Sequence, residues 1–332
     1  MEDMAPSNRK IILRKRPGRL IGKDDIAIEV FAIPELADGQ VLIRTDLLAM
    51  DPVTRVLINE DIGLVPPIEL GQPLRSFGGG TVVESRSDSL PVGALVTDFF
   101  EWAEWQVITS GSRTQVLPAG ESLVSGLNVY GHTAMAAYFG VLKVAGVLAG
   151  ETVVVTGAGG AVGSVAGQIA RIKGARVIGV AGGSEKCGWL TGTLGFDNAV
   201  DYRAPGWDDQ LAELTPDGID LLFDNVGGNL LGALLPRVAT TGRALCCGAS
   251  GQYASAMPLA PPENPGNVSL LRFNAMDYRD QFTEAAALMN GWEREGRLQF
   301  ETMILEGLEN APDGLNRLFD GRSRGRVLVR VG

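Results

Sequence analysis

Residues 156–168, TGAGGAVGSVAGQ, are the stretch of this 332-residue chain whose residue types and spacing point most sharply to a chemistry. Gly157, Gly160 and Gly163 stand three apart, in a variant of G-x-G-x-x-G where Ala158 takes the first glycine's place and Ala161 and Val162 fill the last interval. The run follows a VVV strand, and Val162, Val165, Ala166, Ile169 and Ile172 then keep helical spacing. That context is the one in which free backbone N–H groups and the helix dipole hold a pyrophosphate. Glycine spacing alone would also suit a structural tight turn. Sites that prefer NAD place an acid about 20 residues further on, against the ribose 2′-hydroxyl. Here that strand ends Val180-Ala181-Gly182-Gly183, with no carboxylate, and Ser184 and Lys186 can bond a 2′-phosphate. The expectation is NADP, although Lys186 read alone also fits a solvated helix residue.

The other reactive side chains are few. His132 is the only histidine, and no nucleophile motif accompanies it, so a structural role is the plainer reading. Cys187, Cys246 and Cys247 are the only cysteines. Catalytic zinc needs three protein ligands and structural zinc usually four, and neither spacing is present, so no metal site is expected. Cys246 and Cys247 alternate faces of a strand and read as core.

The elements that must carry the glycine turn are legible around it. The stretches RKIILRKR, IAIEVFAIPE, QVLIRTDLLAMDP, GGGTVVESR, GALVTDF and WAEWQVI are short, evenly spaced β-rich runs, as in a rolled or barrel-like domain. Near Gly126 the character changes to a helical stretch, NVYGHTAMAAYFGVLKVAG, and then to alternating strands and helices through ARVIGVAGG, DNAVDYR, GIDLLFDNVGG and GRALCCGAS. Such alternation builds a doubly wound parallel sheet with right-handed crossovers. Phe282, Ala285, Ala286, Met289 and Trp292 form a further helical stripe. The tail RVLVRVG reads as a strand returning to the first domain, and Pro258, Pro261, Pro262 and Pro265 mark a turn-rich loop. The expected division is residues 1–126 with 298–332, and residues 127–297.

With 29 Lys and Arg against 39 Asp and Glu, the net charge of −10 disfavours nucleic acid and anionic lipid as partners. The amino-terminal residues lack a signal-peptide core and no apolar run is long enough to span a membrane, which suggests a cytoplasmic protein.

In the segments MDPVTR, TVVES, GETVVVTGAGGAVGSVAGQIARIKGARVIGVAGGSEKC, DNVGG, LPRVATTGRALCCGASGQY, MDYRDQF and ILEGLENAP, the chain resembles the zinc-independent medium-chain dehydrogenase/reductases. The likeness is to their prostaglandin reductase, or alkenal/one oxidoreductase, branch, and it runs over nearly the whole sequence. It implies an α/β chain with a GroES-like β-barrel domain, a Rossmann domain binding NADP, and a homodimer joined through the Rossmann sheets. By the same resemblance Lys186 and Tyr202 hold the 2′-phosphate, and Asn225, Gly248, Tyr253, Met276 and Ser323 fall at cofactor positions. Tyr278, in Met276-Asp277-Tyr278-Arg279, falls where a tyrosine stands beside the nicotinamide. Two segments depart from the family: D-P-Y-M-R becomes Asp51-Pro52-Val53-Thr54-Arg55, and G-x-N-x-G-K becomes residues 321–326 with Ser323 in the asparagine's place.

The implied activity is NADPH-dependent reduction of the carbon–carbon double bond of an α,β-unsaturated ketone or aldehyde, with Tyr278 donating a hydrogen bond to the enolate. Two alternatives stand beside it: quinone reduction with the same cofactor, and a non-catalytic, crystallin-like NADPH- or RNA-binding protein.

Overall fold

A computed structural model describes residues 7–60, 65–109, 111, 114–254, 264 and 268–332. Its strands in chain order are β1 (Ser7–Leu13), β2 (Ile26–Ala32), β3 (Gln40–Met50), β4 (Arg75–Ser85), β5 (Leu95–Glu101), β6 (Trp105–Thr109), β7 (Gln115–Val116), β8 (Thr152–Thr156), β9 (Arg176–Ala181), β10 (Asn198–Asp201), β11 (Ile219–Asp224), β12 (Val238–Cys246), β13 (Ser269–Leu271), β14 (Thr302–Glu306) and β15 (Arg326–Arg330).

Strands β8 to β13 form a parallel sheet in the order β10-β9-β8-β11-β12-β13. Side chains of a strand alternate between faces, and in β8 Val153 and Val155 enter one apolar cluster while Val154 enters another. Both faces are therefore covered, which is why the VVV run is continuously apolar. The helix Ala161–Ile172 follows the glycine turn and buries Val165, Ala166 and Ile169, as its spacing predicts. The later stripe forms the helix Phe282–Arg294, with Phe282, Ala285, Ala286 and Met289 buried.

The β-rich part is a second sheet in the order β14-β15-β3-β4-β5-β7, with β6 also on β3. Tail strand β15 pairs antiparallel with β3, Leu328 opposite Ala49, and β14 runs parallel to β15. β1 and β2 pair only with each other as a strand ladder, forming a separate two-stranded sheet tied to the rest by isolated bridges such as Ile12 to Pro73. The chain thus has the α/β architecture of a Rossmann sheet and a GroES-like β domain.

The two parts are stitched at the glycine turn, where the N–H of Gly325, just before β15, donates to the Gly159 carbonyl at 2.9 Å. Among the described residues no helix is long and apolar enough to cross a membrane. The proline-marked loop lies outside the described residues.

Candidate active site

A cleft of about 810 Å³ runs along the carboxyl ends of β8, β9, β11 and β12 and is closed on its other side by the β-rich part. The order β9-β8-β11 makes this the point where the winding of the sheet reverses, which is where open α/β sheets bind ligands.

The glycine turn forms one wall. Gly157 adopts φ +57°, a conformation that L side chains rarely take, and a Cβ on Gly163 would stand 2.5 Å from the Gly157 carbonyl oxygen. The turn is thus folded tightly against the first turn of helix Ala161–Ile172, and Gly160 occupies its N-cap with no side chain to satisfy the free N–H groups. Those donors fit a pyrophosphate.

Thr156 and Asp224 hold this turn to the neighbouring one. The Thr156 hydroxyl donates to Asp224 Oδ1 at 2.6 Å and accepts the Asn225 N–H at 3.0 Å, while Asn225 Nδ2 donates to the Thr156 carbonyl at 2.8 Å. Asp224 also accepts the Gly227 N–H at 2.8 Å, and its main-chain carbonyl takes the N–H groups of Cys247 and Gly248. Burial raises the Asp224 carboxyl above the ordinary range, and the hydrogen bonds from Thr156, Gly227 and Val226 work in the other direction.

At the end of β9 the wall is cationic. Lys186, Tyr202 and Arg203 line the cleft beside Gly182, and the Arg203 guanidinium lies over the Tyr202 ring, 5.7 Å from its centroid. Asp201 accepts the N–H groups of Gly183 at 2.8 Å and Arg203 at 3.0 Å, bonds that draw its carboxyl below the usual range and hold the loop in shape. Burial lowers Lys186, and the charge of Arg203 lowers it further. Among the described residues neither cation enters an ion pair. Two cations outside any ion pair, beside a β9 end that carries no acid of its own, fit a phosphomonoester.

Of the residues singled out in the sequence, Gly157, Gly160, Ala161, Val162, Gly163, Gly182, Lys186, Tyr202, Asn225, Gly248, Tyr253, Met276 and Ser323 all line this one cleft. Ser184 does not: it is exposed as the first residue of helix Ser184–Gly192. Tyr278 is also not brought to the wall. The 3-10 turn Ala275–Gln281 breaks at Tyr278, φ −107° and ψ 16°, and the ring stacks on Phe139 at 4.7 Å between centroids, packed against the sheet's own core. Met276, Arg279 and Phe282 face the cleft from this segment instead.

Arg203, Asp51 and Arg326 also belong to the wall, with no sequence signal strong enough to single them out. Arg203 follows Tyr202 directly, and a cation at that strand end was the available cue. Asp51 and Arg326 form a buried bidentate ion pair joining the end of β3 to β15. Both belong to segments noted above for their departures, but 275 residues separate them. Tyr253 accepts the Ala249 N–H through its hydroxyl at 3.1 Å, and Asn59 Nδ2 reaches across from the β-rich part to the Tyr253 carbonyl at 2.7 Å. Cys247 is a cleft residue whose thiol is pushed up to about 12 by burial and by the charge of Asp224, so it stays protonated. Among the described residues no three His, Cys, Asp or Glu side chains gather as a metal-holding group.

Comparison with known proteins agrees with this architecture over the whole chain. Residues 9–117 match the family model described as N-terminal domain of oxidoreductase, and residues 161–291 that described as zinc-binding dehydrogenase. The NADPH-dependent curcumin reductase of Escherichia coli is 33% identical over 334 residues, covering 98% of this chain and 97% of that protein. Prostaglandin reductase 1 of Bos taurus is 32% identical over 317 residues, covering 92% and 94%. The crystal structure of CurA from Vibrio vulnificus in complex with NADPH superposes with a TM-score of 0.91 at 31% identity, covering 98% of this chain and 99% of that one. The chain belongs to the zinc-independent medium-chain dehydrogenase/reductases, in their prostaglandin reductase branch.

Proposed function

We propose that this protein is an NADPH-dependent reductase of the carbon–carbon double bond of α,β-unsaturated ketones and aldehydes. The observation that carries the reading is one cleft lined both by the glycine turn with two cations that enter no ion pair among the described residues, and by apolar side chains including Phe77, Val53, Leu57 and Phe282. The names of the curcumin and prostaglandin reductases, and the NADPH complex of CurA, support the same cofactor and substrate class.

In this reading the N–H groups of the glycine turn hold the pyrophosphate, Lys186 and Arg203 hold the 2′-phosphate, and Tyr202 flanks them. Asn225, fixed by its bond to the Thr156 carbonyl, and Gly248 border the middle of the cleft. NADPH, when bound, supplies a hydride from its nicotinamide ring. The apolar wall excludes water and takes the hydrocarbon part of the enone, so that a hydrogen-bond donor beside the carbonyl acts in a low dielectric. Residues 127–297 bind the cofactor, and residues 1–126 with 298–332 supply the substrate wall. β13, the outer strand of the parallel sheet, offers an edge through which two copies would join as a homodimer.

The test is NADPH consumption against enones of graded chain length and against quinones, with products identified. The reading predicts saturated ketones and aldehydes. Turnover of quinones alone, or NADPH binding with no oxidation by any acceptor, would overturn it.

A further inference from the structure

His132, the chain's one histidine, opens the helix His132–Phe139 and faces the cleft. Its ring lies parallel to Phe77, centroids 5.5 Å apart and planes 10° apart, which fixes its orientation. Nδ1 is closed off from solvent and, among the described residues, has no hydrogen-bond partner. Nε2 also takes no partner among the described residues, yet it is not closed off. It is therefore the nitrogen that opens on the cleft.

The nearest formal charges do not engage the ring. Both Asp51 carboxylate oxygens are taken by Arg326, and burial, the largest influence on the imidazole, holds it below the ordinary histidine range. The ring is thus neutral near pH 7 and carries one proton. A buried N–H without an acceptor is rarer than a buried acceptor without a donor, which assigns that proton to Nε2, pointing into the cleft.

We propose that His132 is a catalytic residue, donating a hydrogen bond from Nε2–H to the carbonyl oxygen of the enone. The proposal rests on the reading of the site as an enone reductase. Hydride addition at the β-carbon moves the π pair of the double bond toward the carbonyl, and the oxygen becomes an enolate oxyanion. A solvent proton then adds at the α-carbon and the ketone is restored, while His132 keeps its own proton throughout. A fixed neutral N–H in a cleft lined mainly by apolar surface meets that charge without reorganising. Two other phenols near the site are less suited. The Tyr130 hydroxyl donates to Glu121 and accepts from Asn290, and Tyr278, half-buried and stacked on Phe139, does not line the cleft.

The test uses the whole chain as wild type, His132→Phe, His132→Gln and Tyr253→Phe, with saturating NADPH and 3-penten-2-one as the enone. Phenylalanine keeps the stack on Phe77 and removes the donor; glutamine returns an N–H near the Nε2 position. Turnover should fall about 10²- to 10³-fold in His132→Phe, the usual loss for one oxyanion donor, with NADPH affinity unchanged and part of the rate regained in His132→Gln. An independent arm needs no turnover. A chain labelled with ¹⁵N-histidine gives the signals of one imidazole, which should report the Nε2–H tautomer and shift at Nε2 when 4-nitrophenolate, an oxyanion mimic, is added with NADP⁺. Full turnover in His132→Phe, alone or with loss in Tyr253→Phe, would overturn the proposal, as would an Nε2 signal that ignores the phenolate. If the wild type reduces no enone, the functional reading fails, and the phenolate arm still decides whether His132 is an oxyanion donor.

Discussion

The hydroxyl of Thr156, at the end of β8, donates to Asp224 Oδ1 at the end of β11 and simultaneously accepts the N–H of Asn225. One side chain thereby sets the spacing between the phosphate turn and the turn that borders the middle of the cleft. The carboxylate it holds is fully buried, so each bond it accepts matters more than a surface bond would.

Thr156→Val keeps the shape and removes both bonds. An orphaned buried group costs about 1–3 kcal/mol, so the urea midpoint should fall by that order and NADPH should bind more weakly. An unchanged midpoint would show that the Asn225 N–H and Asp224 find other partners at no cost.

Lys186→Ala and Arg203→Ala each remove one cation beside the end of β9, which carries no acid of its own. A hydrogen bond to a charged group is worth about 1.5–3 kcal/mol, so the KM for NADPH should rise roughly 10- to 100-fold in each variant while NADH kinetics stay level. Equal use of NADPH and NADH by the unaltered protein would contradict the assignment of this rim to a 2′-phosphate.

The glycine turn, its strand and its helix were legible because three separate signals agree there: an apolar run, glycines at fixed offsets, and 3.6-residue periodicity. Cofactor preference was legible from an absence, the missing acid beyond Val180-Ala181. What the sequence could not display was pairing across distance. The Asp51–Arg326 pair depends on β15 returning to β3, and the placement of Tyr278 depends on a break within a single 3-10 turn that no local pattern announces. Motif position brought Tyr278 to the right segment, but backbone geometry decided that Met276, not Tyr278, faces the cleft.

Tyr278→Phe accordingly separates motif from geometry. The ring stack on Phe139 survives the change and only the hydroxyl is lost, so turnover and NADPH affinity should remain within about twofold of wild type. A fall on the order of 10²-fold, the size of a lost oxyanion donor, would return Tyr278 to the chemistry.

His132 gives the fold a pH dependence of known sign. Burial holds its folded-state value below the ordinary 6.5, with Asp51 acting to raise it and Arg326 to lower it. As pH drops below about 6.5 the unfolded chain takes up a proton that the native ring refuses, so stability is present above that value and is lost as pH falls toward the folded value. Urea unfolding of wild type and His132→Phe across pH 7 to about 5 should show an extra downward slope in the wild type alone. Parallel slopes would mean the ring titrates alike in both states.

The most direct test of the account follows the hydride itself. NADPH carrying deuterium at the transferable position of the nicotinamide is turned over with 3-penten-2-one, and the product is examined by NMR and mass spectrometry. Reduction of the double bond predicts 2-pentanone with one deuterium, located at the former β-carbon. Deuterium on the carbinol carbon of an unsaturated alcohol, with the double bond intact, would contradict it.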